Sequence, residues 1–234
     1  MAVVFRNRTR VLTRALAGLL VALAFAAANP GYAATTFLDA VLAEVDGAII
    51  TASDAAIGKA LGLFGLEASP ASIHTADVQR LVDVWLAIAE ADRLQIAPSP
   101  SDVEEAWGAA AARLGGTDVL RSWLDQAALD EAWVKRLVEA DLRWRRFIEV
   151  RFRAFVFVSE EDVTKAIGPG PHTPDVREKT VNALREEITQ RELAAWLAEA
   201  RGRATIRITG AEGTGLPLPF ALPKNTGAPA TVRP

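Results

Sequence analysis

Two short β-type runs lie near opposite ends of a chain whose middle has a helical period, and no other feature narrows the fold as much. Val41, Ala43 and Val45 alternate on one face, Asp46-Gly47 follows, and Ala48-Ile49-Ile50 resumes the apolar run. An Asp-Gly pair between two such runs predicts a tight hairpin, because both central residues of a type I′ turn need positive φ. The second run, Ala204 to Thr209, turns Ile206 and Ile208 to one side. Strands this short do not persist alone. Ala204–Thr209 is therefore expected to pair with Val41–Val45, closing a mainly α domain from both ends of its sequence.

Between these runs the apolar spacing is helical. Thr51 with Asp54 reads as a capping box that starts a helix running to about Phe64-Gly65. Val78, Leu81, Val82, Trp85, Ile88 and Ala89 follow the i, i+3, i+4, i+7 pattern from Thr75 onward. Pro98 and Pro100 end that segment, and Ser101 with Glu104 predicts the next helix start, with Gly115-Gly116 as its stop. A short helix over 118–127 follows, then a long one from Asp130 to about Arg153. Phe155-Val156-Phe157-Val158 reads as a short extended run, and Ser159 with Asp162 as the cap of a helix over 160–167. Residues 168–174 form a Gly/Pro linker. The last long helix is expected from about Asp175 to Arg201, stopped by Gly202, with Val181, Leu184, Ile188, Leu193, Trp196 and Leu197 as its apolar stripe.

The two termini read differently from the middle. Arg6, Arg8, Arg10 and Arg14 precede an apolar stretch from Ala15 to Ala28, then Asn29-Pro30 and the small residues Gly31 and Ala33. That is the layout of an export signal over residues 1–33 with cleavage before Ala34, and it predicts a periplasmic protein with no stable membrane insertion once the signal is removed. Residues 34–234 carry 22 basic and 29 acidic side chains. A net negative charge of that size gives no reason to expect nucleic acid. Nine of the 25 residues from Gly210 to Pro234 are Gly or Pro, so this tail is expected to be disordered.

The order of these elements resembles the N-terminal chaperone module of SurA-type periplasmic folding factors. The likeness begins at 38–47, Leu-Asp-Ala-Val-Leu-Ala-Glu-Val-Asp-Gly, and continues through Ile50-Thr51-Ala52-Ser53-Asp54. It extends through the helix from Leu81 to the loop at Ala97, the helix start at Ser101-Asp102-Val103-Glu104, the passage 157–163, the segment Ala194-Ala195-Trp196-Leu197 and the strand 204–208. It thus spans roughly residues 37–209. The resemblance implies a multi-helix core of that type, with a small β-hairpin completed by a C-terminal strand. One departure matters. The family carries parvulin-type prolyl isomerase domains where this chain has only the linker 168–174, so the resemblance implies peptide holding without isomerase activity.

Residue chemistry points away from catalysis. Cysteine is absent and there are two histidines, His74 and His172, nearly a hundred positions apart. Thiolate nucleophiles, cysteine zinc sites and histidine-rich metal centres are thereby excluded, and no cofactor or metal is expected. Glu104, Glu105, Asp125, Asp130 and Glu131 read as solvated helix faces, and Arg143, Arg145 and Arg146 as a charged face paired with Glu139 and Glu149. Most of the six tryptophans, at 85, 107, 123, 133, 144 and 196, fall on apolar stripes and belong to a core. Leu61, Phe64, Leu66, Phe155 and Phe157 lie at helix ends and short flanking segments, and they are the candidate peptide-binding residues. The partners expected are unfolded outer-membrane or secreted polypeptides, with a homodimer left open by the sequence. The reading from a different class is a structural or accessory factor that docks one dedicated envelope partner.

Overall fold

The computed structural model describes residues 39–67, 72–168, 170–209 and 216–223. The export signal read over residues 1–33 lies outside them. The described chain is mainly helical, with seven α-helices and a small antiparallel sheet.

The sheet forms as its sequence dictates. Strands β1 (Val41–Val45) and β2 (Ala48–Thr51) are joined by Asp46 and Gly47, whose φ values of 49° and 88° are both positive, as a type I′ turn requires. β4 (Ile206–Ile208) pairs antiparallel on the other side of β1, with Ala43 opposite Ile208 and Val45 opposite Ile206. The strand order is therefore β2-β1-β4, and the strand from the far end of the domain covers the free edge of the hairpin. Thr205 donates its backbone N–H to the Asp46 carboxylate at 2.7 Å, and Thr209 N–H reaches the Leu42 carbonyl at 3.0 Å. Strict alternation along β1 does not hold. The register shifts between Val41 and Ala43, so Leu42 and Ala43 are both buried while Val41 is exposed.

The helices follow in order: α1 (Ala52–Leu61), α2 (Thr75–Arg93), α3 (Pro100–Leu114), α4 (Thr117–Gln126), α5 (Glu131–Arg151), α6 (Glu160–Ile167) and α7 (Pro174–Arg203). Thr51 and Asp54 cap α1 reciprocally, as do Ser159 and Asp162 for α6. The cap of α3 is displaced from its expected place. Ser99, not Ser101, accepts from the N3 backbone, with Asp102 as its return partner. Pro100 occupies N1, where its missing N–H costs nothing and its φ suits the helix, so the cap must precede it. α7 passes through Gly202 to Arg203. Arg201 anchors this last turn to α2, bonding Asp83 at 2.6 Å and the Gln79 side chain at 2.8 Å.

α5 packs against α2 and α3, and α7 against α2, which in turn meets the sheet. All six tryptophans join this core, Trp107, Trp123 and Trp144 buried and Trp85, Trp133 and Trp196 partly so. Lys59 is buried at 1% exposure and pairs with Asp77 at 2.8 Å. Within the tail expected to be disordered, the described residues 216–223 are ordered against the core. Residues Leu216–Pro217 form β5, which pairs with β3 (Ser72–Ile73), and Phe220 lies against Trp123.

Candidate functional site

The five candidate residues separate into two groups. Leu61 and Phe64 have no exposed surface and Leu66 has 6%, so all three belong to the core. Phe155 and Phe157 are 79% and 83% exposed.

The position of the exposed pair follows from how α5 ends. Its last turn tightens into a 3₁₀ turn over Arg153–Phe155, and the chain then runs extended to Ser159. The extended run pairs with no strand among the described residues; its first backbone bonds are local, Phe155 N–H to the Phe152 carbonyl and Val156 N–H to the Arg153 carbonyl. Period-2 alternation places Phe155 and Phe157 outward, and Val156 and Val158 half-buried beneath. The larger apolar pair thus faces water and the smaller pair faces the protein. Burying a phenylalanine side chain is favourable by about 1.5–3 kcal/mol, so this orientation leaves that free energy unused in the isolated chain.

Beside the two rings lies an open cleft of about 680 Å³. One wall is a single face of α7, formed by Ile188, Glu192, Ala195, Trp196 and Glu199 at helical spacing. Phe152 and Trp196 line the cleft and pack on the buried Phe147, which lies 5.0 Å from Trp196 and meets Phe152 edge-on at 5.6 Å. Arg151 and Arg191 balance Glu192 and Glu199 around it. The cleft therefore offers aromatic carbon from Phe152 and Trp196 between charged side chains of both signs. Trp196 was visible in the sequence as a stripe residue. Its place in a cleft was not, because that depends on where the 3₁₀ turn sends the chain.

A second groove of about 680 Å³ runs between α3 and α5, near Leu61 and Leu63. Most of its charges are already matched. Arg145 pairs with Asp141 at 2.7 Å, Arg146 with Asp102 at 3.2 Å, and Arg113 donates to the Leu61 carbonyl at 2.9 Å. Arg143 is held by Asp92 and Glu139, and Trp144 is buried with the Arg80 guanidinium 4.9 Å above its ring. The arginine run is thus a paired face, with Asp92, Asp102 and Asp141 as partners beside the expected Glu139.

His74 is the N-cap of α2 and approaches Ser72 Oγ at 2.9 Å, while His172 Nε2 approaches the Gly168 carbonyl at 3.0 Å. Among the described residues no group of His, Asp and Glu side chains is arranged to hold a metal ion, and no helix is long and apolar enough to cross a membrane. Among the described residues the one strongly displaced carboxyl is structural: burial pushes Asp54 up to about 6 against the opposing hydrogen bonds from Thr51. No protein-family model matches this chain, and no curated protein matches it either.

Proposed function

We propose that this protein is an ATP-independent holdase that binds unfolded, aromatic-rich polypeptides, such as outer-membrane or secreted precursors, in the periplasm. The exposed pair Phe155 and Phe157 at the rim of an aromatic-lined cleft carries this reading. An apolar segment laid across them recovers the burial that the free protein leaves unused. Two anchors of this kind contribute about 3–6 kcal/mol, and the apolar side chains they cover in the client add a similar amount; less ordering costs, the sum supports affinities between about micromolar and millimolar, or roughly −8 to −4 kcal/mol. Weak binding lets a client leave without nucleotide hydrolysis. The balanced charges at the rim favour an interaction that salt hardly alters.

The resemblance to SurA-type chaperone modules supports the same class. Only six residues separate the end of α6 at Ile167 from the start of α7 at Pro174, where the family holds its isomerase domains. Holding without proline isomerisation is accordingly part of the proposal.

The test is aggregation of an unfolded outer-membrane protein, followed by light scattering with and without the full chain. The wild type should delay aggregation at modest molar excess, and the double variant Phe155→Glu/Phe157→Glu should need about tenfold more protein for the same delay. Equal protection by the variant would overturn the assigned face. No delay by the wild type even at large excess would overturn the holdase reading and favour one dedicated envelope partner. Turnover in a protease-coupled proline assay would overturn the non-enzymatic part.

A further inference from the structure

The segment 216–223 is bound as a peptide would be. Its contacts come in two kinds, and neither selects a particular sequence. The backbone is held by antiparallel pairing, with Ile73 opposite Leu216 and Ser72 opposite Pro217, and by the Trp123 indole N–H, which donates to the Ala221 carbonyl at 3.0 Å. The side chains of Leu216, Leu218 and Phe220 pack at alternate positions against the core, and Phe220 meets Trp123 edge-on at 5.8 Å. Strand addition with alternate apolar side chains is a recurrent mode of peptide recognition. Pro217, Pro219 and Pro223 fix φ along the segment, which lowers the ordering cost of docking it.

The site is larger than its occupant. A cleft of about 800 Å³ lies around Trp123 and the stretch 220–223, walled by Val119, Ser122 and Gln126 of α4, with Asp118 as the only charged residue lining it. Val119 is 40% exposed there. β3 has no other strand partner among the described residues.

We propose that β3 and Trp123 form a docking site for extended, apolar, proline-containing peptides, and that residues 216–223 occupy it as a tethered competitor. This site is distinct from the Phe155–Phe157 face and does not rest on the function proposed for it. Six residues connect Thr209 at the end of the closing strand to Leu216. A tether that short gives an effective concentration of order millimolar; for a segment whose own intrinsic affinity is about 100 µM, that weakens any incoming peptide roughly tenfold. An external peptide therefore enters when it outcompetes the tether or when the tether is released.

The experiment uses the full chain and a fluorescently labelled peptide with the sequence of residues 216–223, read by anisotropy. Phe220→Ala releases the tether and should raise peptide affinity about tenfold over wild type, with an unchanged circular dichroism spectrum. Should Phe220→Ala fail to fold, Leu218→Ser reads the same release. Adding Trp123→Phe, which keeps a ring but removes the indole donor, should reverse the gain several-fold. Phe157→Glu should bind the peptide as wild type does, whether or not it still protects clients. Equal affinity in wild type and the released variant would overturn the proposal, as would loss of peptide binding in Phe157→Glu. A concentration-dependent dimer that Phe220→Ala abolishes would also overturn it, since the segment would then seat on a second copy.

Discussion

Two short irregular segments of this protein carry phenylalanine, and they treat it in opposite ways. In residues 62–67, Phe64 is fully buried and meets Trp85 edge-on at 5.5 Å. In residues 155–158 both rings stand in water. Local propensity does not separate them, because both segments follow a helix end and both are apolar. The difference lies in what holds the backbone. Phe64 adopts φ of 61°, unfavourable for a residue with a side chain, yet Asp141 of α5 accepts its N–H at 2.6 Å and Arg80 of α2 donates to its carbonyl at 2.7 Å. Gly62, at φ 65°, ends α1 with no steric penalty for that turn. Charged groups from neighbouring helices thus clamp the first segment inward. The second starts with bonds to its own preceding turn, and nothing comparable pulls its rings in.

The sharpest way to break this contrast is to truncate the rings. Phe64→Ala should cost about 3–5 kcal/mol in denaturant unfolding, the range for a large aromatic removed from a packed core. Comparable losses for Phe155→Ala would show that the outward rings carry structural weight and would erase the distinction. Removing the clamp comes next. Asp141→Ala leaves the Phe64 N–H without its acceptor and Arg145 without its partner, and should cost about 2–3 kcal/mol. A negligible change would mean that Phe64 is held by packing alone.

A third measurement follows another buried carboxylate into its pH dependence. Asp54 is raised by burial to about 6 from an ordinary value of 3.8. Between those values the folded state binds more proton than the unfolded one, so this site's contribution to stability falls as pH rises from about 4 to 6. The loss is of order 2–3 kcal/mol and complete by neutral pH. Asp54→Asn keeps an oxygen acceptor for Thr51 but cannot ionise. The difference between wild type and variant should therefore shift in favour of the variant as pH rises across this window. A pH-independent difference would place the carboxyl in water. The smallest effect belongs to the exposed face itself: Phe155→Ala and Phe157→Ala should each change stability by no more than about 0.5 kcal/mol while weakening client protection.

Much of the fold was legible because local rules and tertiary packing agree. Asp46-Gly47, Thr51 with Asp54, and Ser159 with Asp162 each predict a turn or cap that the structure contains. Failures came where a tertiary contact overrode a local signal. Gly202 reads as a stop, yet Arg201 is pinned to α2 and the helix continues. The Gly/Pro content of 210–234 reads as disorder, yet within it residues 216–223 dock on β3 and Trp123, which supplies what a short proline-rich segment lacks by itself. The site was half legible. Four consecutive apolar residues, 155–158, announce an extended run, but alternation among equals cannot say which pair faces inward. Phe64 misled for the complementary reason, since no pattern in residues 62–67 announces acceptors and donors that arrive from 77 and 16 positions away.

The pairing of β1 with β4 also sets an order in time. β1 meets β2 across a two-residue turn, a contact that forms on the microsecond scale once both are available. Its other edge is matched by residues more than 150 positions later. Until Ile206–Ile208 arrive, the hairpin presents an open row of backbone donors and acceptors, the kind of edge that recruits strands from other chains. Closure over so long a span is slow compared with helix formation. A chain made or delivered from its N-terminus must therefore keep this edge unsatisfied through nearly its whole emergence, and completes its sheet only when the last strand is free to return.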